Sequence, residues 1–152
     1  MAAPALSQSG KWPAREITLI NPNAAGASTD LTARILAQAM TASLGQPVLV
    51  ENRPGADGAI AGDFVARAEP DGHTFFLASN TPMMQVPLLK KNPPYDPIKS
   101  FASVSLLSTS VMTLVVPEKM SASTVREFVE MVKKQSGQLN YSSPGVGTTQ
   151  HL

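Results

Sequence analysis

The chain has 152 residues, 43% of them hydrophobic and 15% charged, with 12 Lys and Arg against 11 Asp and Glu. That is enough apolar material for one ordinary core or for pieces of two, and the balanced charge, without a basic stripe or acidic tail, argues against nucleic acid and anionic membrane as partners. The absence of cysteine excludes disulfides, thiolate metal sites and cysteine nucleophiles while leaving the compartment open, and no apolar run reaches the roughly 18 residues that a membrane span needs.

Residues 1–13, "MAAPALSQSGKWP", lack the positive start and long apolar stretch of an intact export signal, although the Ala-rich opening is compatible with the tail of one; they read as a flexible arm. "EITLIN" (16–21) is short and β-branched and reads as a strand. A polar loop follows, and then Leu31, Ile35, Leu36, Ala39, Met40 and Leu44 recur at helical spacing with Gly45 just past the end. "QPVLVEN" (46–52) is the next strand, "RPGADG" its turn, and 59–68 a helix stopped by "EPDG". "HTFFLAS" (73–79) is a third strand, followed by "NTP", where Pro82 suits the first turn of another helix. Strands separated by helix-length segments imply parallel pairing with right-handed crossovers, so the fold class is α/β.

From residue 93 the texture changes, since "NPPYDPIKSF" carries three prolines in ten residues and predicts a crossing segment with little regular structure. A boundary near it divides the chain into a first α/β lobe over 14–104 and the start of a second over 105–152. "ASVSLLS" (102–108), "VMTLVVP" (111–117) and "QLNYSS" (138–143) look like strands, and 121–137 a capped amphipathic helix with Val125, Phe128, Val129 and Val132 inward. After "PGVGTTQHL" the chain stops where a helix should begin, so the expectation is a truncated chain whose first lobe is incomplete without a C-terminal return.

In an open parallel sheet, ligands bind beyond the C-terminal strand ends, where loops lead into helix N-termini. Three loops here share one chemistry. "NPNAAGASTD" offers Gly26, the hydroxyls of Ser28 and Thr29 and an N-cap within 28–30; "SNTP" offers Ser79, Asn80 and Thr81; "SSPGVGTTQH" offers Ser142, Ser143, Gly145, Gly147, Thr148 and Thr149. Unpaired N–H groups and the helix dipole favour an anion at such points. Hydrogen bonds to a charged group contribute roughly 1.5–3 kcal/mol each, so four or five can offset ordering costs and reach about −8 kcal/mol, micromolar affinity, without a lysine or arginine.

Plainer readings compete at each motif. Ser-Thr-Asp alone is more often a simple helix cap. "PGVGTTQ" resembles a degraded dinucleotide fingerprint, but Gln150 stands where the third glycine belongs and no acidic ribose partner follows. "RPGADG" reads as a structural turn, with Arg53 solvated or paired. His73 and His151, the only histidines, have no second ligand at metal spacing. With no G-x-S-x-G elbow and no P-loop, the residues call for no cofactor and no metal.

Taken together, "WPAREITLINPNAAGASTDLTARILAQAM", "LGQPVLVENRPGADGAIAGDFVARAEPDGHTFFLAS", "PYDPIKSFASVSLL" and "GQLNYSSPGVGTTQHL" closely resemble the tripartite tricarboxylate transporter substrate-binding proteins, the periplasmic Bug (TctC-like) family, over residues 12–152. The resemblance implies a type II periplasmic-binding-protein fold of two α/β lobes closing on a small organic carboxylate, delivery of that ligand to membrane permease subunits, a periplasmic location without membrane insertion, and no catalysis. It also implies a chain about twice this length. Transferred residue by residue, the ligand site comprises Asn23, Ala25, Gly26, Ala27, Ser28, Thr29 and Asp30, with Ser79, Asn80 and Thr81 on the same lobe and Gly145, Gly147, Thr148 and Thr149 on the opposing one. Relatives usually carry an aromatic or apolar residue at the place of Asn23 and a second glycine at that of Ala27, which implies a more polar pocket floor here. The alternative is a small dehydrogenase-like or hydrolase-like α/β enzyme acting on a carboxylated metabolite. It needs an acid-base pair or a nucleophile, and the sequence offers neither at suitable spacing.

Overall fold

The computed structural model describes residues 11–109, 111–143, 149 and 151. Its centre is β1 (Ile17–Asn21), flanked by β2 (Val48–Asn52) and β3 (Thr74–Phe76) in the order β2, β1, β3, both pairings parallel. Ile17 faces Val48 and Leu19 faces Val50 across one ladder, and Ile20 pairs with Phe76 across the other. As the strand buried on both faces, β1 is apolar almost throughout, the pattern expected of a parallel sheet covered by helices. The α/β class read from the sequence is the class observed.

α1 (Ser28–Leu44) packs on β1 and β2 and ends at Gly45, whose left-handed φ of 69° lets its N–H reach the carbonyl of Thr41. Its buried stripe is the predicted one only in part. Ala33 and Ala37 touch the sheet with Leu36, Met40 and Leu44 beside them, whereas Leu31 and Ile35 are exposed. Two alanines permit the close approach, and the helix rotates to use them.

After β2 a 3-10 turn (Ala56–Gly58) leads into α2 (Ala59–Ala66), two residues shorter than its pattern predicted. Beyond β3 a π-helical turn (Thr81–Gln85) with Pro82 in its first positions runs into α3 (Val86–Leu89). Ala59 and Val86 meet Tyr95 in a second cluster flanked by Phe101. Gly62 makes this possible, because a Cβ there would clash with the Tyr95 ring edge and hydroxyl. The proline-rich segment lacks regular structure, as expected, but is anchored: the Tyr95 hydroxyl donates to Pro82 O at 2.6 Å, and Asp96 Oδ1 accepts from the N–H groups of Ile98 and Lys99.

Three expectations fail. Residues 12 and 13 do not behave as an arm: Pro13 is buried and the Trp12 indole N–H donates to Gly72 O at 3.2 Å. No strand forms at 102–108, 111–117 or 138–143 among the described residues. Strand propensity describes fit to a pleated neighbour, and none stands beside these segments, so Leu106, Val111 and Val115 remain exposed. α4 (Val125–Lys134) is capped as predicted, with Thr124 Oγ1 accepting from Glu127 N and Glu127 Oε2 accepting from Ser123 N. Its apolar face is not inward, however: the helix has no buried residue, and Val125 and Val129 are exposed.

Candidate ligand site at the strand ends

The loops after all three strands converge at the C-terminal rim of the sheet, and Gly58 marks the spot. A Cβ on this residue, whose φ is 85°, would lie 3.0 Å from Pro22 Cβ in the loop after β1 and 3.1 Å from Pro82 Cβ beyond β3. Only glycine suits both that backbone and that spacing.

The residue that decides the shape of the loop 22–27 is Asp30, in the first turn of α1. Although the sequence placed it among the ligand contacts, it is buried and both carboxylate oxygens face inward partners. Oδ2 accepts from Gly26 N at 2.9 Å and Arg34 Nε at 3.0 Å, and Oδ1 accepts from Asn52 Nδ2 at 3.0 Å. These bonds, the Gly26 amide first, then Arg34 and Asn52, lower its pKa from 3.8 to about 2. Asp30 is therefore a clasp that shapes the loop, and its partner Gly26 has no N–H left to offer. Asn52 completes the brace by donating to Asn23 O at 3.1 Å.

The N-cap was expected within 28–30, but Ala27 holds that position and no side chain caps the helix. Its φ of −68° and ψ of 160° are the ordinary extended values of an N-cap. In consequence the N–H groups of Ser28 and Thr29 have no acceptor among the described residues. The simple-cap reading of Ser-Thr-Asp thus loses its hydrogen bond, and two donors at the positive end of a 17-residue helix stand open. Ser28 is exposed and Thr29 half-buried, with Asn23 Nδ2 donating to Thr29 Oγ1 at 2.9 Å. Ala25 is exposed in the same loop.

Ser79, Asn80 and Thr81 stand at the end of β3, where Ser79 O accepts from Met83 N at 3.3 Å as the π-helical turn begins. Thr149 comes to this turn: its hydroxyl accepts from Gln85 Nε2 at 2.8 Å. Gly145, Gly147 and Thr148 lie outside the described residues. The sequence reading missed Asn21, Asn52 and Gly58. Asn21 is fully buried at the end of β1 with Nδ2 3.4 Å from Asn23 O, while its Oδ1 has no partner. The available signal was an asparagine closing each of two strands, which the register pairs as Asn21 with Asn52.

Chemically the rim can hold an anion by main-chain N–H groups and hydroxyls. Arg34, beside the loop, is engaged by Asp30. Among the described residues no group of three metal-ligating side chains occurs, and no helix is long and apolar enough to cross a membrane.

A family model described as the tripartite tricarboxylate transporter family receptor, TctC, matches residues 32–152. The chain belongs to this family. Among TctC-family relatives, a UPF0065 protein of Bordetella pertussis is 39% identical over 141 residues, covering 93% of this chain and 43% of that protein. The structure of MatC from Rhodopseudomonas palustris with bound malate matches with a TM-score of 0.76 and 34% identity over 91% of this chain and 47% of that one. The periplasmic binding protein BugD matches with a TM-score of 0.70 and 34% identity, over 92% of this chain and 46% of its own. The chain spans about half the length of the TctC-family relatives it matches.

Proposed function

We propose that the protein is a periplasmic solute-binding receptor that captures a small organic carboxylate and presents it to the membrane permease subunits of a tripartite tricarboxylate-type transporter. The observation that carries this reading is the uncapped start of α1, where the N–H groups of Ser28 and Thr29 have no acceptor among the described residues at the rim on which three loops converge. Ser79, Asn80 and Thr81 extend the same rim. Gly145, Gly147, Thr148 and Thr149 supply the opposing jaw in this reading, with 14–104 as the first lobe and 105–152 as the beginning of the second. Support comes from the Gln85 to Thr149 hydrogen bond, which draws the two sequence regions together, and from the malate held by MatC. Asp30 acts by fixing the loop, and a carboxylate ligand is tolerated beside it because Arg34 balances its charge.

Titration calorimetry against dicarboxylates, aromatic acids, amino acids and NAD tests the proposal. Saturable binding of a carboxylate with no chemical change is the expected result; turnover of any compound, or binding of NAD in preference to every acid, overturns it.

A further inference from the structure

We propose, resting on the reading above, that the ligand carries a hydroxyl beside its carboxylate, and that Asn23 is the residue that selects for it. Donors and acceptors are out of balance at the rim. The helix start offers donors, which a carboxylate satisfies, but the loop also presents the amide oxygen of Asn23, which no described protein group satisfies. Asn21, fully buried at the base of the loop, donates from Nδ2 to Asn23 O at 3.4 Å and so supports Asn23 from below. Asn23 is half-buried above it; its Nδ2 is committed to Thr29 Oγ1 at 2.9 Å, and its Oδ1 takes no hydrogen bond among the described residues.

A bare dicarboxylate has acceptors alone and leaves the Asn23 oxygen desolvated and unpaired, which is costly. A hydroxyl is both donor and acceptor. Because Asn23 Oδ1 shares a carbon with the nitrogen that touches Thr29, it lies beside the Thr29 hydroxyl. A ligand carboxylate accepting from Thr29 therefore places an adjacent hydroxyl within reach of Asn23. The hydrogen bond from Asn23 also occupies a lone pair of Thr29 Oγ1, leaving the Thr29 hydroxyl hydrogen to be donated to the carboxylate. The pair thus recognises two neighbouring groups on one ligand.

Malate and succinate differ by one hydroxyl and are the probes. Calorimetry on the wild-type protein is expected to give about tenfold tighter binding of malate, and Asn23→Ala is expected to bring the ratio of the two affinities towards one. The ratio is read because a merely structural loss weakens both acids together. A wild-type preference below about threefold overturns the proposal whether or not the variant folds, as does a variant that keeps the wild-type ratio. Failure of the protein to bind either acid, or any other carboxylate of the panel, removes the carboxylate reading itself and this proposal with it; succinate binding without hydroxyl preference removes only the proposal.

Discussion

Asp30 shows how a residue read as a contact becomes a support. Its carboxylate is held at a pKa of about 2 against 3.8 in the unfolded chain, so it stabilises the fold fully above about pH 4 and loses that contribution as the pH falls towards 2. Asp71 and Asp96 shift in the same direction, the latter through the amides of Lys99 and Ile98. Thermal melts between pH 5 and pH 2 (a conventional acid range) are expected to show a steeper fall for the wild type than for Asp30→Asn, which starts lower at neutral pH; equal slopes would remove the clasp. Tyr95 is the second such residue. Burial pushes its hydroxyl pKa up, and its O–H donates to Pro82 O. Tyr95→Phe leaves that carbonyl unpaired and is expected to cost about 1–3 kcal/mol by chemical denaturation.

At the level of elements, α1 and α4 start in opposite ways. α4 is capped by Thr124, which accepts from Glu127 N while the Glu127 carboxylate reaches back to Ser123 N, and it has nothing buried beneath it; α1 has a buried face and no cap. The sequence "STD" before an apolar run predicted the reverse for α1, because the serine, threonine and aspartate were all plausible caps. Asp30 instead reaches back to Gly26, so the helix begins one residue earlier and its first donors stay open. Ser28→Ala therefore separates the readings: carboxylate affinity is expected to fall about three- to tenfold, with the melting temperature held, since Ser28 caps nothing. A large drop in melting temperature would restore the cap.

At the scale of the chain, the proposed grip on the ligand uses no cationic side chain, on a sequence of net charge +1. Neither steering nor a lysine contact contributes, so affinity should change by no more than about threefold between low and high salt. Calorimetry at two ionic strengths checks this, and a loss of orders of magnitude would point to an arginine such as Arg34 or Arg53 as the true anion site.

The order of strands and helices, the parallel sheet and the polar rim were legible from residues 16–82 because their signals are local: apolar strands, turn residues at fixed offsets, and a glycine at the helix end. Family resemblance was legible for the same reason, carried by short ordered motifs. What the chain alone did not reveal depended on neighbours distant in sequence. Whether Asp30 faced a ligand or Asn52, and whether Leu31 or Ala33 touched the sheet, turned on packing between elements. The segments at 102–108, 111–117 and 138–143 have the composition of strands and, among the described residues, no ladder to join. Composition proposes a strand, but only a paired backbone makes one, since each buried N–H and C=O must find its partner in three dimensions.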